Sequence, residues 1–267
     1  MQILAPLSVF RAHPALVWQV AKRDVLGRYR GSTFGLLWAL VTPFLVLTVY
    51  TIAFGYVMGS RWPHTENSKA GFAMILYVGL IVHGFFAECL TRAPTLVAGN
   101  PNYVKRVVFP LDVLPWALVA GALFHELLNV LVFAVVYSVL VGLPPATIVY
   151  FPIVLLPLAV LCTGVAWLMA CLGVYFRDIN HVTGVLAMAM LFLSSAIVPE
   201  DAIPIQYRWL IEINPLTFII DQARNVALWG ITPDWLGLGL YLFAATASMY
   251  AGFAIFHATR PGFADVL

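Results

Sequence analysis

Four basic side chains, Lys22, Arg23, Arg28 and Arg30, crowd nine residues directly before a long uncharged run. Such residues hold phosphate oxygens, arginine through two parallel, charge-assisted hydrogen bonds. At headgroup depth the same charges also attract anionic lipid, at about 1 kcal/mol per residue, and orient the following span. A second basic stretch, Asn100-Pro101-Asn102-Tyr103-Val104-Lys105-Arg106, is broken from its neighbours at Pro101 and Pro110 and reads as a compact protruding turn. Arg177-Asp178-Ile179-Asn180 is a shorter polar turn. Glu88 and Arg92 stand four apart with the acid first, the favourable order for a pair on one helix face. His125-Glu126-Leu127-Leu128-Asn129 falls one imidazole short of a zinc-protease helix, because Asn129 stands where the second histidine must be. No metal site is assigned there. His125 and Glu126 read instead as intramembrane polar residues that pair across helices or face a cavity. The chain has no Gly-x-x-x-x-Gly-Lys loop for ATP and no Gly-x-Ser-x-Gly elbow, and Ser194-Ser195 has no obvious base partner. Nothing in these patterns points to covalent chemistry.

The elements that must position these groups follow from composition. Of 267 residues, 62% are hydrophobic and 10% charged, where a soluble domain carries about 25% charged. The solvent is therefore lipid. Cys89, Cys162 and Cys171 all fall in apolar runs, with neither a metal spacing nor a disulfide framework. The first ten residues are too short for a signal-peptide core and precede the charges, so the N-terminus is expected to be retained and cytosolic. Pro14 to Arg30 is predicted as an interfacial amphipathic helix with Trp18, Ala21, Val25 and Tyr29 on one face and Gln19, Lys22, Arg23 and Arg30 off it. A plain positive flank is the alternative. We therefore expect an all-α polytopic protein, with a cytosolic segment at 1–33 and a transmembrane domain at 34–267. Six spans are placed at about 34–58, 72–97, 111–141, 148–176, 181–198 and 235–257. Pro43 is expected to kink the first. Between the last two spans, Asn214-Pro215 is a helix-start signal. Arg11, Lys22, Arg23, Arg28, Arg30, Arg92, Lys105, Arg106, Arg177 and Arg260 share the N-terminal side, against Arg61, Lys69, Arg208 and Arg224 on the other. That ten-to-four split predicts both termini cytosolic.

With the spans placed, several segments resemble the membrane subunit of ABC transporters that export polysaccharides, the O-antigen, capsule and teichoic acid exporters. They are RDVLGRYRGSTFGLLWALVTPFLVLTVYTIAFGYVM, FFAECLTRAPTLVAGNPNYVKRVVFPLDVLP, LGVYFRDINHVTGVLAMAMLFLSSAIVP and INPLTFIIDQARNVALWG, in order over nearly the whole chain. The tail GFADVL favours the O-antigen branch. The resemblance implies a multi-pass protein of the bacterial inner membrane, a homodimer working with two copies of a separate ATPase that binds ATP and Mg, so no cofactor is expected in this chain. Its cargo would be a lipid-linked polysaccharide, and no nucleic acid is involved. It places the interface helix at about Pro14 to Arg30. The ATPase-coupling segment would comprise Asn100, Pro101, Asn102, Tyr103, Lys105 and Arg106, with a second contact at Arg177 and Asp178. Re-entrant helices near the channel exit would lie at about Ile203 to Trp229.

On that reading some of Lys22, Arg23, Arg28 and Arg30 bind the pyrophosphate joining glycan to lipid, Arg28 and Arg30 first because they lie nearest the first span. Trp38, Tyr50, Phe54, Phe85 and Phe86 are candidates for lining the channel, since aromatic faces stack on sugar C–H faces. Interfacial belts and lipid-facing positions are the plainer account of the same aromatics. A drug or lipid exporter of like architecture is one alternative. A membrane enzyme on lipid-linked sugars needs converging acids, and Glu88, Asp112 and Glu126 do not cluster in sequence. A proton-coupled transporter would use His83, Glu88 or His125, but no inverted repeat is evident.

Overall fold

The computed structural model describes residues 6–53, 69–105, 109–197 and 203–267, and these are helical with short connections. Phe54 and Arg106, and the end of the first expected span, lie outside the described residues. In chain order the helices are α1 (Pro6–Ala12), α2 (Pro14–Tyr29), α3 (Trp38–Tyr50), α4 (Lys69–Arg92), α5 (Thr95–Ala98), α6 (Pro101–Lys105) and α7 (Val113–Leu140). They continue with α8 (Phe151–Tyr175), α9 (Ile179–Phe192), α10 (Arg208–Glu212), α11 (Pro215–Arg224), α12 (Trp235–Thr259) and α13 (Phe263–Val266). Among the described residues, five stretches are long and apolar enough to cross a bilayer: Gly35–Ala53, Gly71–Arg92, Val113–Leu140, Ala146–Tyr175 and Trp235–Val266. The chain is a polytopic membrane protein.

The helix expected at 181–198 is shorter. At 14 residues α9 reaches about 21 Å, against roughly 30 Å of hydrocarbon. Its end is set by polar side chains. Ser194 Oγ donates to the Leu191 carbonyl and accepts the Ala196 N–H. Asn214 Nδ2 donates to the carbonyls of Met190 and Leu193, at 3.0 and 2.8 Å. The Asn214 Oδ1 atom takes the Leu216 N–H at 2.9 Å, so one amide caps the end of α9 and the start of α11. The helix start at Asn214-Pro215 agrees with the sequence reading.

The central helix is α4, packed by α7, α8, α9 and α11. Phe85 and Phe86 are buried in this packing. Their burial follows from the central place of α4 in the bundle. Helices α8 and α12 cross in backbone contact: a Cβ on Gly252 would stand 2.2 Å from the Gly164 carbonyl oxygen. A second apolar cluster joins Val9 and Val17, Val97, Val113, Trp167 and Cys171 to Phe253, Phe256 and Phe263. It gathers α1, α2, α5, the start of α7, the end of α8 and the end of α12 at one end of the bundle, so the first described helix and the C-terminal segment meet there. Arg260 Nη1 donates to Asp112 Oδ2 at 2.9 Å across the same end.

Helix α2 lies against α7 through Val17, Ala21 and Val25. The buried stripe is thus one residue out of phase with the predicted face at its start: Trp18 is 66% exposed. Spacing of four is kept along 17, 21 and 25, which Trp18 cannot share. After α2 the chain turns at Gly31 and Gly35, with φ of +87° and +51°, a region glycine enters without steric cost. That turn brings Leu36 back beside Leu26.

Candidate functional site

Where α2 crosses α4 and α7, five ionisable side chains meet. Arg92 extends from the last turn of α4 and donates through Nη2 to Asp24 Oδ1 at 2.6 Å and through Nη1 to Glu88 Oε1 at 3.0 Å. The expected Glu88 and Arg92 pair is therefore present, as part of something larger. Arg28 donates to the same Glu88 oxygen, contacts Asp24 at 3.4 Å and donates to His125 Nδ1 at 2.9 Å. The other ring nitrogen of His125, Nε2, stands 3.2 Å from Tyr29 Oη. Glu88 Oε2 stands 3.4 Å from the same Nδ1. Two arginines against two carboxylates make a balanced cluster that staples α2 to the bundle. Burial pushes the Asp24 carboxyl above its ordinary range, Arg28 beside it opposing the shift. Burial likewise raises the Tyr29 phenol.

The other basic residues of α2 face away from this cluster. Lys22, Arg23 and Arg30, with Gln19, line a recess of about 620 Å³ whose floor includes Leu26 and Leu36. A smaller groove of about 150 Å³ adjoins it and shares Lys22, Leu26 and Leu36, while Trp18, Gly121 and Phe124 complete its apolar wall. A basic recess thus adjoins a largely apolar groove.

The basic turn after α4 lies nearby. Gly173 of α8 receives Pro94 in backbone contact, a built Cβ there falling 2.1 Å from the Pro94 oxygen. This seats α5, and α6 follows with Pro101, Asn102 and Lys105 exposed. Asn100 Nδ2 donates to the Leu96 carbonyl at 3.0 Å. Tyr103 stacks on Phe109 at 4.4 Å between ring centroids and accepts a hydrogen bond from Arg23 Nη1 at 2.5 Å. Arg177 and Asp178 are exposed in the turn between α8 and α9. Trp38 is partly exposed on α3 and Tyr50 half-buried.

Residues 15–228 match the family described as ABC-2 type transporter. The chain belongs to that family. Similar proteins include the O-antigen export system permease protein RfbA of Klebsiella pneumoniae, 25% identical over 250 residues and 93% of each chain. RfbA of Myxococcus xanthus is 24% identical over 94% of each chain. The polysialic acid transport protein KpsM of Escherichia coli is 24% identical over 93% of this chain and 95% of its own.

Within this ABC-2 chain, the structure brings together the basic residues singled out in the sequence but divides their surroundings. Lys22, Arg23 and Arg30 share the recess, whereas Arg28 is engaged by Glu88, Asp24 and His125. Asp24 was not singled out as a site residue. The signal that could have found it is an acid four residues before Arg28, the i,i+4 order already used for Glu88 and Arg92. Arg224 was read as an outer loop charge, but it is 1% exposed. Its guanidinium spans three carbonyls, Ile75 at 3.2 Å, Ser195 at 2.7 Å and Ala196 at 2.9 Å, and so fastens α11 to α4 and to the end of α9. Glu126 is buried, accepts from Asn129 at 3.2 Å and lines an otherwise apolar cavity of about 270 Å³.

Proposed function

We propose that this chain is the transmembrane subunit of an ABC exporter that carries a lipid-linked polysaccharide, O-antigen-like, across the bacterial inner membrane. Two copies act with two copies of a separate ATPase, which binds ATP and Mg; this chain contributes no cofactor. The observation that carries the reading is the basic recess continuous with an apolar groove on α2, in a family member whose full-length relatives are named as O-antigen export permeases. Lys22, Arg23 and Arg30 receive the pyrophosphate of the carrier, and the groove beside Trp18, Leu26 and Phe124 receives the start of its hydrocarbon chain. Arg28 serves as the hinge pin of α2, not as the first phosphate ligand. The segment Asn100 to Arg106, with Arg177 and Asp178, docks on the ATPase. Trp38 and Tyr50 on α3 face the translocation path between the two copies. Both termini are cytosolic, in keeping with the ten-to-four split of basic residues.

The test is a deletion strain. Loss of this chain should abolish surface glycan while lipid-linked glycan accumulates inside, and the wild-type gene should restore export. A variant carrying Lys22→Gln, Arg23→Gln and Arg30→Gln should insert normally yet restore little. Surface glycan undiminished in the deletion strain, with no internal accumulation, refutes the reading.

A further inference from the structure

We propose that Arg23 is shared between the headgroup recess and the ATPase-docking turn, so that a phosphate entering the recess takes Arg23 from Tyr103 and releases α6. The inference rests on the proposed function and adds to it a residue-level route by which cargo is reported to the ATPase.

Three observations converge on Arg23. It lines the recess with Lys22 and Arg30. Its Nη1 donates to Tyr103 Oη, and its guanidinium carbon stands 5.7 Å from the Tyr103 ring centroid, within reach of a cation–π contact. Tyr103 belongs to a helix of five residues whose Pro101, Asn102 and Lys105 are exposed. A helix so short has little stability of its own. Tyr103 is one of its holds, touching Phe109 on one side and Arg23 on the other, beside Val104 and the contacts of α6 with α5 and α13.

The exchange has a clear direction. A phenol oxygen is a neutral acceptor, and a pyrophosphate oxygen is an anionic one whose bonds are about twice as strong. An end-on grip on phosphate, through Nη1 and Nη2, takes the nitrogen that now serves Tyr103. Arg23 is exposed, so turning it from one acceptor to the other buries no new charge. In the empty state the bond holds α6 against α2, which restrains the docking turn and keeps the ATPase slow. In the loaded state α6 is free to move with the ATPase.

The experiment uses the complete complex with its ATPase in phosphatidylcholine nanodiscs, titrated with farnesyl pyrophosphate and, separately, with inorganic pyrophosphate. Tyr103→Phe keeps the ring on Phe109 and removes only the competing oxygen. It should bind farnesyl pyrophosphate about threefold to tenfold more tightly, the span of one net hydrogen bond. It should also show raised basal ATPase activity and little further stimulation. Equal stimulation by inorganic pyrophosphate supports the exchange and assigns it to the head alone. Wild-type affinity, basal rate and stimulation in Tyr103→Phe overturn the inference while leaving the headgroup site standing. Absence of binding to the wild-type complex overturns both. Should Tyr103→Phe fail to assemble, Arg23→Gln releases Tyr103 from the other side. Its basal rate should rise with stimulation lost, and an unchanged basal rate refutes the exchange.

Discussion

Arg28 and Arg30 stand two residues apart at the end of α2. Partners far along the chain separate their roles. Arg28 meets Glu88 and His125, 60 and 97 positions away, whereas Arg30 opens on the recess. A helical turn of 100° per residue sends positions two apart to nearly opposite sides, so one faces the bundle and the other the recess. Lysine substitution separates the two roles, because it keeps charge and loses the planar fork. Arg28→Lys should loosen α2 by about 1 kcal/mol, a modest figure because the cluster is partly exposed. Arg30→Lys should leave unfolding unchanged and reduce stimulation by farnesyl pyrophosphate severalfold. Thermal unfolding in detergent and ATPase titration measure the two effects, and the same phenotype in both variants would discard the division of labour.

Among the elements, the long apolar helices were legible from hydropathy, and the start of α11 from Asn214-Pro215. The end of α9 was not, because its caps are Asn214, more than twenty residues on, and the Ser194 turn. Local periodicity shows an apolar run continuing to Val198 and carries no sign that a distant amide will end it. Arg224 was opaque for the same reason: its acceptors are backbone carbonyls of residues 149, 29 and 28 positions away. Arg224→Lys should cost about 2–3 kcal/mol, since a lysine cannot span three carbonyls and leaves buried acceptors unmet. Loss of the fold, read as aggregation or a fall in unfolding temperature, is the expected result; an unfolding temperature equal to wild type contradicts the fastening role. The seat of α5 was equally hidden, because contact between Gly173 and Pro94 is a matter of space and not of pattern. In Gly173→Ala the new methyl falls on the Pro94 carbonyl, so α5 and α6 must lift from α8. The variant should still insert and fold, but co-purify with several-fold less ATPase. Normal recovery of the complex argues against this seat as the support of the docking turn.

At the scale of the whole molecule, two independent lines bear on which way the chain lies. The sequence contributes the ten-to-four split of basic residues. The fold contributes the cluster in which α1, α5, the end of α12 and Phe263 meet, so that the first described helix, the C-terminal segment and the proposed docking turn share one end of the bundle. The connection from α9 to α12, through α10 and α11, then occupies the opposite end. The proposed orientation puts the first end in the cytosol, because basic residues near span ends are retained there. Single cysteines read this out cleanly, since Cys89, Cys162 and Cys171 are buried and should add little background. Asn102→Cys, on exposed α6, and Ile205→Cys, an exposed residue just before α10, sample the two ends. A membrane-impermeant maleimide applied to intact cells with a permeabilised outer membrane should label position 205 and spare position 102, and both should label after lysis. The reverse pattern would invert the orientation and move the recess of Lys22, Arg23 and Arg30 to the outer face. An exporter's loading site cannot be there, so that result would remove the proposed function along with the topology.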